Sequence, residues 1–176
     1  MSFLLLASTV ALLLAGASDS VRIADAFSAL GPAAPVAADS IVIQKSTRHL
    51  TLYLHGQPVR TYVVALGKNP IGDKERAGDD RTPEGVFRIE GRNAYSQYHL
   101  ALRISYPDSV HLARAEALGV SPGGNIMIHG LPNGLGDVGA AHREFDWTNG
   151  CVAVTNEEIE QIWRAVPDGT PVQIKP

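Results

Sequence analysis

The sequence predicts a mainly β domain with two helices, spanning residues 40–176. Short apolar, β-branched runs recur between turn signals, a pattern typical of strands joined by hairpins and loops. Two segments have helical composition instead, and one of them opens with a Thr-x-x-Glu capping box. A length of 176 residues fits one compact domain.

The order of strands and helices follows from these signals. The first helix is expected at residues 108–118, ended by Gly119. The second is expected at residues 157–165, capped by Thr155, with an apolar face. Residues 67–82 form a long loop, which in a compact domain is usually functional or disordered. Strands are expected at residues 41–43, 50–54, 59–66, 86–89, 99–106, 126–129, 151–154 and 171–174.

The N-terminus has the pattern of a secretory signal. Residues 3–14 are apolar and uncharged, and Ala15-Gly16-Ala17 supplies a small-residue cleavage site. We therefore expect a signal peptide at residues 1–17, a flexible tether rich in Ala, Ser and Pro at 18–39, and export to the periplasm or cell envelope. An uncleaved N-terminal anchor is the alternative, because no Lys or Arg precedes the apolar run.

The charge balance argues against one class of partner. The formal net charge is −3, and the chain has no polybasic run. Nucleic-acid binding depends mainly on Lys and Arg contacts to phosphate, so we expect no nucleic-acid partner. We expect the protein to be a monomer.

The chain has a single cysteine, Cys151. It is either a buried inert residue or a free reactive thiol. Its context favours the second interpretation, since Gly150 precedes it and His129-Gly130 ends an apolar strand upstream. A glycine before a nucleophile lets backbone N–H groups converge on one point, and a nearby histidine can activate a thiol.

These residues resemble a known family. His129-Gly130 followed by Thr148-Asn149-Gly150-Cys151 is similar to the signature of L,D-transpeptidase catalytic domains of the YkuD type. The resemblance extends over residues 40–176, including the Thr82-Pro83-Glu84-Gly85 turn before a strand.

The resemblance implies a mixed, sandwich-like β-sheet and acyl transfer on the tetrapeptide stems of peptidoglycan. Cys151 would attack the diaminopimelate carbonyl and release the terminal D-Ala, and the thioester would pass to an amine of another stem or of a wall-linked protein. His129 would take the thiol proton, and the Gly130 carbonyl would orient the imidazole. The N–H groups of Gly150 and Cys151 would stabilise the oxyanion. No metal or organic cofactor is implied.

Five residues near the motif are candidate substrate contacts. They lie within it or in the segment just before it: Thr148, Asn149, His142, Trp147 and Arg143.

The chain departs from the family pattern at two positions. Asn149 stands where many members have His, and Ala153 stands where many have Arg. Arg143 and Arg81 are candidate replacements for that positive charge. The sequence is closer to a branch with Gly-Cys-x-Ala, and this resemblance leaves open an alternative, a carboxypeptidase or amidase that cleaves cross-links or protein–peptidoglycan links.

Two other functions compete with this interpretation. One is a zinc hydrolase that uses His129, His142 and Cys151, since three such ligands can hold a catalytic zinc ion. The other is a non-catalytic wall-binding module, which the changes at Asn149 and Ala153 would favour.

Overall fold

The computed structural model describes residues 36–176. The predicted signal peptide at 1–17 and the predicted tether up to residue 35 lie outside the described residues. Backbone pairing begins at Ala38, whose N–H donates to the Ala165 carbonyl at 2.9 Å. Between residues 36 and 176, no helix has both the length and the apolar character that a membrane crossing requires.

Within residues 36–176 the chain forms eight strands, two α-helices and one 3-10 segment. The α-helices are α1 (Ser109–Ala117) and α2 (Asn156–Ala165), and the 3-10 segment covers Gly136–Glu144. The strands are β1 (Ser40–Gln44), β2 (His49–Leu54), β3 (Gln57–Val63), β4 (Gly85–Ser96), β5 (His99–Ile104), β6 (Met127–His129), β7 (Val152–Ala153) and β8 (Pro171–Lys175).

The strands form a mixed sheet in the order β3-β2-β1-β8-β4-β5-β6-β7. The β1–β8 and β6–β7 pairs are parallel, and the remaining pairs are antiparallel. The prediction of a mainly β fold with a mixed sheet is therefore confirmed. The parallel β6–β7 pair places His129, the last residue of β6, close to Cys151, which immediately precedes β7.

The sheet curls until its two edges meet. Strand β4 is 12 residues long, much longer than the predicted 86–89, and it pairs with β8 in one half and with β5 in the other. The chain after β3 returns to the opposite edge, where Ala65 bridges Ala153 and Gly67 bridges Thr148. Apolar side chains from both halves share one core, including Ile41, Leu52, Phe87, Ile104, Ile128, Val154 and Val172.

Both predicted helices are present, and their caps follow the sequence signals. The Asp108 side chain accepts from the His111 N–H at the start of α1. Thr155 and Glu158 form the predicted capping box of α2, whose Ile159 and Ile162 are fully buried. The 3-10 segment was not predicted, because Gly139 interrupts it at φ 51° and breaks the helical periodicity.

Two buried lysines hold the loop at residues 67–82 in place, one through backbone hydrogen bonds and one through an ion pair. The Lys45 ammonium donates to the carbonyl oxygens of Gly72 and Thr82 at 2.6 and 2.9 Å. The Lys74 ammonium donates to Asp79 at 2.6 Å, and only 3% of that lysine is exposed. Buried charges need such partners to offset the cost of desolvation. The loop therefore has a fixed shape and packs against the turn that carries Cys151.

Candidate active site

Cys151 and His129 line one open groove of about 520 Å³. We call one side of it the nucleophile wall, made of Trp147, Thr148, Asn149 and Cys151. The other side is the hairpin wall, made of the β4–β5 tip residues Asn93, Tyr95, Ser96, Gln97 and Tyr98. The floor comes from Asn125, Met127 and His129.

Strand register brings the cysteine and the histidine together. In the parallel β6–β7 pair, Ile128 lies beside Val152 and His129 beside Ala153. Cys151 immediately precedes β7, so it lies beside Met127 and on the same face as His129. Two residues along one strand and one strand spacing separate their Cα atoms by about 8 Å, which their side chains can span.

A hydrogen bond orients the His129 ring. Its Nδ1–H donates to the Gly130 carbonyl at 2.7 Å, so Nε2 carries the lone pair. The ring is 3% exposed and packs against Tyr98, with the ring centroids 4.5 Å apart. Burial lowers the pKa of His129, and the bond to Gly130 only partly opposes that shift. The imidazole is therefore held as a neutral, oriented proton acceptor.

The turn before Cys151 depends on Gly150. Its φ is +125°, a conformation that side chains rarely adopt. A Cβ atom built there would lie 2.6 Å from the Arg81 carbonyl oxygen and 3.1 Å from the Ile126 Cδ1 atom. Only glycine lets the loop at residues 67–82 pack so closely behind the cysteine.

The thiol is half-buried and neutral in the free site. Burial raises the pKa of Cys151, and the Met127 backbone N–H and the Lys74 charge oppose the rise without cancelling it. The Sγ atom contacts the Asn125 carbonyl oxygen at 3.6 Å. A neutral thiol beside a neutral imidazole suits proton transfer during attack more than a thiolate formed in advance.

Of the two predicted oxyanion donors, the N–H groups of Gly150 and Cys151, the first already has a hydrogen-bond partner. The Gly150 N–H donates to the Thr148 hydroxyl at 3.1 Å, and that hydroxyl donates to the Cys151 carbonyl at 2.7 Å. In the free site the Gly150 N–H is thus engaged inside the turn, because the hydroxyl of the buried Thr148 takes it as a partner. Thr148 holds the turn closed and also lines the groove.

Trp147 separates the groove from a second, apolar pocket. Its indole N–H donates to His142 Nδ1 at 3.4 Å. His142 is 5% exposed and lines the second pocket, of about 260 Å³, with Leu131 and Phe145 among its neighbours. His142 therefore lies behind Trp147 and away from Cys151. Burial lowers the pKa of His142 to about 4, so it stays neutral.

Two other candidate contacts have different surroundings. Arg143 pairs with Glu158 at the start of α2 and does not line the groove. The exposed Asn149 lies at the groove mouth, where its Oδ1 accepts from the Lys68 ammonium at 2.8 Å. Arg81, the second candidate for the missing charge, donates to the Asp73 carbonyl in the loop behind the cysteine.

Sequence reasoning missed three residues next to the pair. Tyr98 packs on the His129 ring, Asn125 offers its carbonyl to the thiol, and the buried Lys74 charge acts on the thiol. Asn125 has φ 56°, and a Gly-Gly-Asn turn in the sequence was the one available sign of it. Nothing in the local sequence distinguished Lys74 from surface lysines.

The zinc alternative lacks a ligand set in the described part of the chain. Within residues 36–176, no group of three or more His, Cys, Asp and Glu side chains is arranged to hold a metal ion. His142 is separated from the other two proposed ligands by Trp147.

Comparison with known proteins identifies the domain. The family model for the YkuD-type L,D-transpeptidase catalytic domain matches residues 38–174. The chain is 29% identical over 133 residues to YafK of Escherichia coli K12, whose L,D-transpeptidase name is itself provisional. The match covers 72% of this chain and 46% of YafK, so the chain spans about half the length of that relative.

Solved structures show the same fold. The helical cell shape determining protein Pgp2 of Campylobacter jejuni superposes with a TM-score of 0.59 at 24% identity, over 77% of this chain and 46% of Pgp2. An L,D-transpeptidase of Xylanimonas cellulosilytica gives 0.52 at 17% identity, over 88% and 69% of the two chains. With the family match over residues 38–174, this chain belongs to the YkuD family of L,D-transpeptidase catalytic domains.

Proposed function

We propose that this protein is an exported cysteine L,D-transpeptidase that acts on peptidoglycan tetrapeptide stems through a Cys151 thioester. The observation that carries the proposal is one groove that contains a half-buried thiol and a neutral histidine whose Nδ1–H is fixed on the Gly130 carbonyl. Family membership supports the substrate class, and the apolar N-terminal run supports export to the periplasm or cell envelope.

The first step is attack on the donor stem. As Sγ approaches the diaminopimelate carbonyl, His129 Nε2 takes the thiol proton, and the carbonyl oxygen becomes an oxyanion. The Cys151 N–H is the principal proposed donor to that oxygen, since the Gly150 N–H is used by Thr148 in the free site. His129 then gives the proton to the leaving D-Ala amine, and the thioester remains.

The second step depends on the acceptor. An amine of another stem or of a wall-linked protein attacks the thioester, His129 takes its proton, and Cys151 leaves as a thiol. An open groove supports a second peptide chain reaching the thioester. Water in place of the amine would give an L,D-carboxypeptidase.

Cleavage of existing cross-links or protein–peptidoglycan links is the second candidate. It uses the same nucleophile and is favoured by Asn149 and Ala153, the two departures from the common motif. The name of Pgp2 connects that protein with cell shape, which either reaction on the wall could change.

Mass spectrometry of purified protein incubated with disaccharide-tetrapeptide fragments tests the proposal, with Cys151→Ala as the control. Loss of D-Ala together with a dimeric product, seen only with the wild type, is the expected result. Loss of D-Ala without a dimer would indicate a carboxypeptidase. No reaction with the tetrapeptide, followed by cleavage of dimeric fragments, would replace transpeptidation with cross-link cleavage.

A further inference from the structure

The groove itself offers little to a negatively charged peptide. Its lining residues in the described part of the chain include no Lys or Arg, and His129 is held neutral by burial. Stem peptides carry free carboxylates on both sides of the bond that the proposed reaction breaks. A cation that binds a carboxylate near Cys151 therefore comes from outside that lining, and Lys68 at the groove mouth is already engaged by Asn149 at 2.8 Å.

A neighbouring cavity supplies such a cation. It measures about 310 Å³ and shares Asn93, Asn125 and Met127 with the groove, so the two cavities are adjacent. Its remaining lining residues include two arginines, Arg92 on β4 and Arg103 on β5.

Strand register places Arg103 in line with the nucleophile. Arg103 lies directly opposite Met127 in the β5–β6 pair. Met127 in turn lies beside Cys151, because the next residues, Ile128 and Val152, are partners. The three side chains therefore form a row on one face of the sheet. Two strand spacings put the Cα atoms of Arg103 and Cys151 about 10 Å apart.

Only one of the two arginines has a guanidinium that a ligand can take. Arg92 pairs with Asp168 at 2.7 Å, donates to the Trp163 and Val166 carbonyl oxygens, and lies over the Trp163 ring. Arg103 pairs with Glu90 at 3.0 Å, and about half of each side chain is exposed, at 51% and 40%. Exposed ion pairs of this kind are weak and exchange readily.

We propose that Arg103 binds a carboxylate of the peptide whose carbonyl is attacked by Cys151, and that it supplies the positive charge missing at Ala153. A planar guanidinium suits this role because it can hold a carboxylate through two parallel hydrogen bonds. Glu90 occupies the guanidinium in the free protein and yields it to the ligand. This inference rests on the proposed function for the identity of the peptide.

The test measures binding of disaccharide-tetrapeptide by calorimetry in the Cys151→Ala protein, which cannot consume it. Arg103→Gln is expected to weaken binding about tenfold, the typical effect of losing a charge-assisted hydrogen bond. Arg103→Lys should recover part of the loss, and Glu90→Gln should tighten binding. Arg164→Gln is the matched control, since Arg164 is an exposed arginine paired with Glu160 on α2.

Amidated ligands identify the carboxylate. If Arg103 binds the terminal D-Ala carboxylate, the effect of Arg103→Gln disappears for the D-Ala amide. If it binds the side-chain carboxylate of diaminopimelate, the effect disappears for the amide at that position. If it binds the α-carboxylate of the D-glutamate residue, the effect disappears for the amide at that position. An equal effect on all three amides, no effect on any ligand, weaker binding by Glu90→Gln, or no measurable binding of the tetrapeptide would overturn the inference.

Failure of this inference and failure of the proposed function give different results. Turnover by Arg103→Gln with wild-type KM would leave the transpeptidase proposal intact and remove the carboxylate site. Binding that depends on Arg103, without turnover by the wild type, would leave the carboxylate site intact and remove the transpeptidase proposal. Thermal unfolding of each variant, followed by circular dichroism, separates lost binding from lost folding.

Discussion

The two walls of the groove are built in opposite ways. The nucleophile wall is packed from behind, because the Arg81 carbonyl leaves no room for a side chain at Gly150. The Thr148 hydroxyl also hydrogen-bonds to the Gly150 N–H and the Cys151 carbonyl. The hairpin wall is open at its tip, where Tyr95 is 97% exposed, although Tyr98 at its base packs on the His129 ring. The rigid packing therefore lies where the proposed reaction would change bonds, and the exposed tip of the hairpin wall is free to adapt to a ligand.

The largest expected effect is at Cys151, the proposed nucleophile. Cys151→Ala should abolish turnover and change the free energy of unfolding by about 1 kcal/mol or less, because the side chain is only half-buried. Cys151→Ser should be nearly inactive as well, since one neutral histidine activates a hydroxyl poorly. Product analysis and urea unfolding measure the two quantities. Full activity of Cys151→Ser would show that the thiol is not the nucleophile.

A glycine pair tests whether the packing behind the nucleophile wall matters. Gly150→Ala should destabilise the fold by about 1–3 kcal/mol and reduce turnover, because its new Cβ meets the Arg81 carbonyl. Gly134→Ala is the matched control, since Gly134 also has a positive φ, +87°, but open space around it. Urea unfolding of both variants isolates the contact from the strain of the dihedral angle. Equal destabilisation would mean that the contact contributes nothing.

The pH dependence of alkylation tests the electrostatics of the same wall. Burial raises the pKa of Cys151, so iodoacetamide should react with it only at higher pH than with free cysteine. Lys74→Met removes a charge that lowers this pKa, and the profile should move to still higher pH. Lys74→Arg should restore it, and Lys175→Met, an exposed lysine, should leave it unchanged. A profile that Lys74→Met leaves in place would exclude the lysine from the site.

The pH dependence of stability tests the burial of His142 behind Trp147. The folded-state pKa of about 4 lies below the ordinary value of 6.5 as a result of burial first and the Arg143 charge second. Folding favours the neutral form of His142, whereas the unfolded chain takes up a proton as pH falls below 6.5. The free energy of unfolding therefore has its full value above pH 6.5 and decreases as pH falls from there towards 4. His142→Phe should remove that part of the acid destabilisation. Urea unfolding at pH 7.5 and 4.5 measures it, and an unchanged pH slope would contradict the role of burial.

The smallest effect is expected on the hairpin wall. Tyr95→Ala should leave the free energy of unfolding unchanged, because the side chain makes almost no contact with the domain. It should raise KM for the stem peptide a few-fold with little change in kcat, since aromatic side chains at a groove rim contribute mainly to binding. A large fall in kcat would mean that the two walls share the chemistry and would remove the distinction between them.

Sequence reasoning succeeded where signals are local. The capping box of α2, the strand positions and the glycine before Cys151 all follow from residues within a few positions of one another. It failed for the length of β4 and for the 3-10 segment at Gly136–Glu144. The end of β4 is polar and exposed, so it lacks the apolar alternation that predicts a strand, and its pairing with β5 alone extends it.

The fold class, and the cysteine and histidine that the proposed chemistry uses, could be predicted from the sequence, because those signals depend on residue type and on short spacings. The surroundings of these two residues are set by the tertiary fold. It brought the Lys74 charge and the Arg81 carbonyl behind the cysteine, engaged the Gly150 N–H with Thr148, and set Arg103 in one row with Cys151. These contacts join distant parts of the chain, and strand register and burial create them only when the sheet has formed.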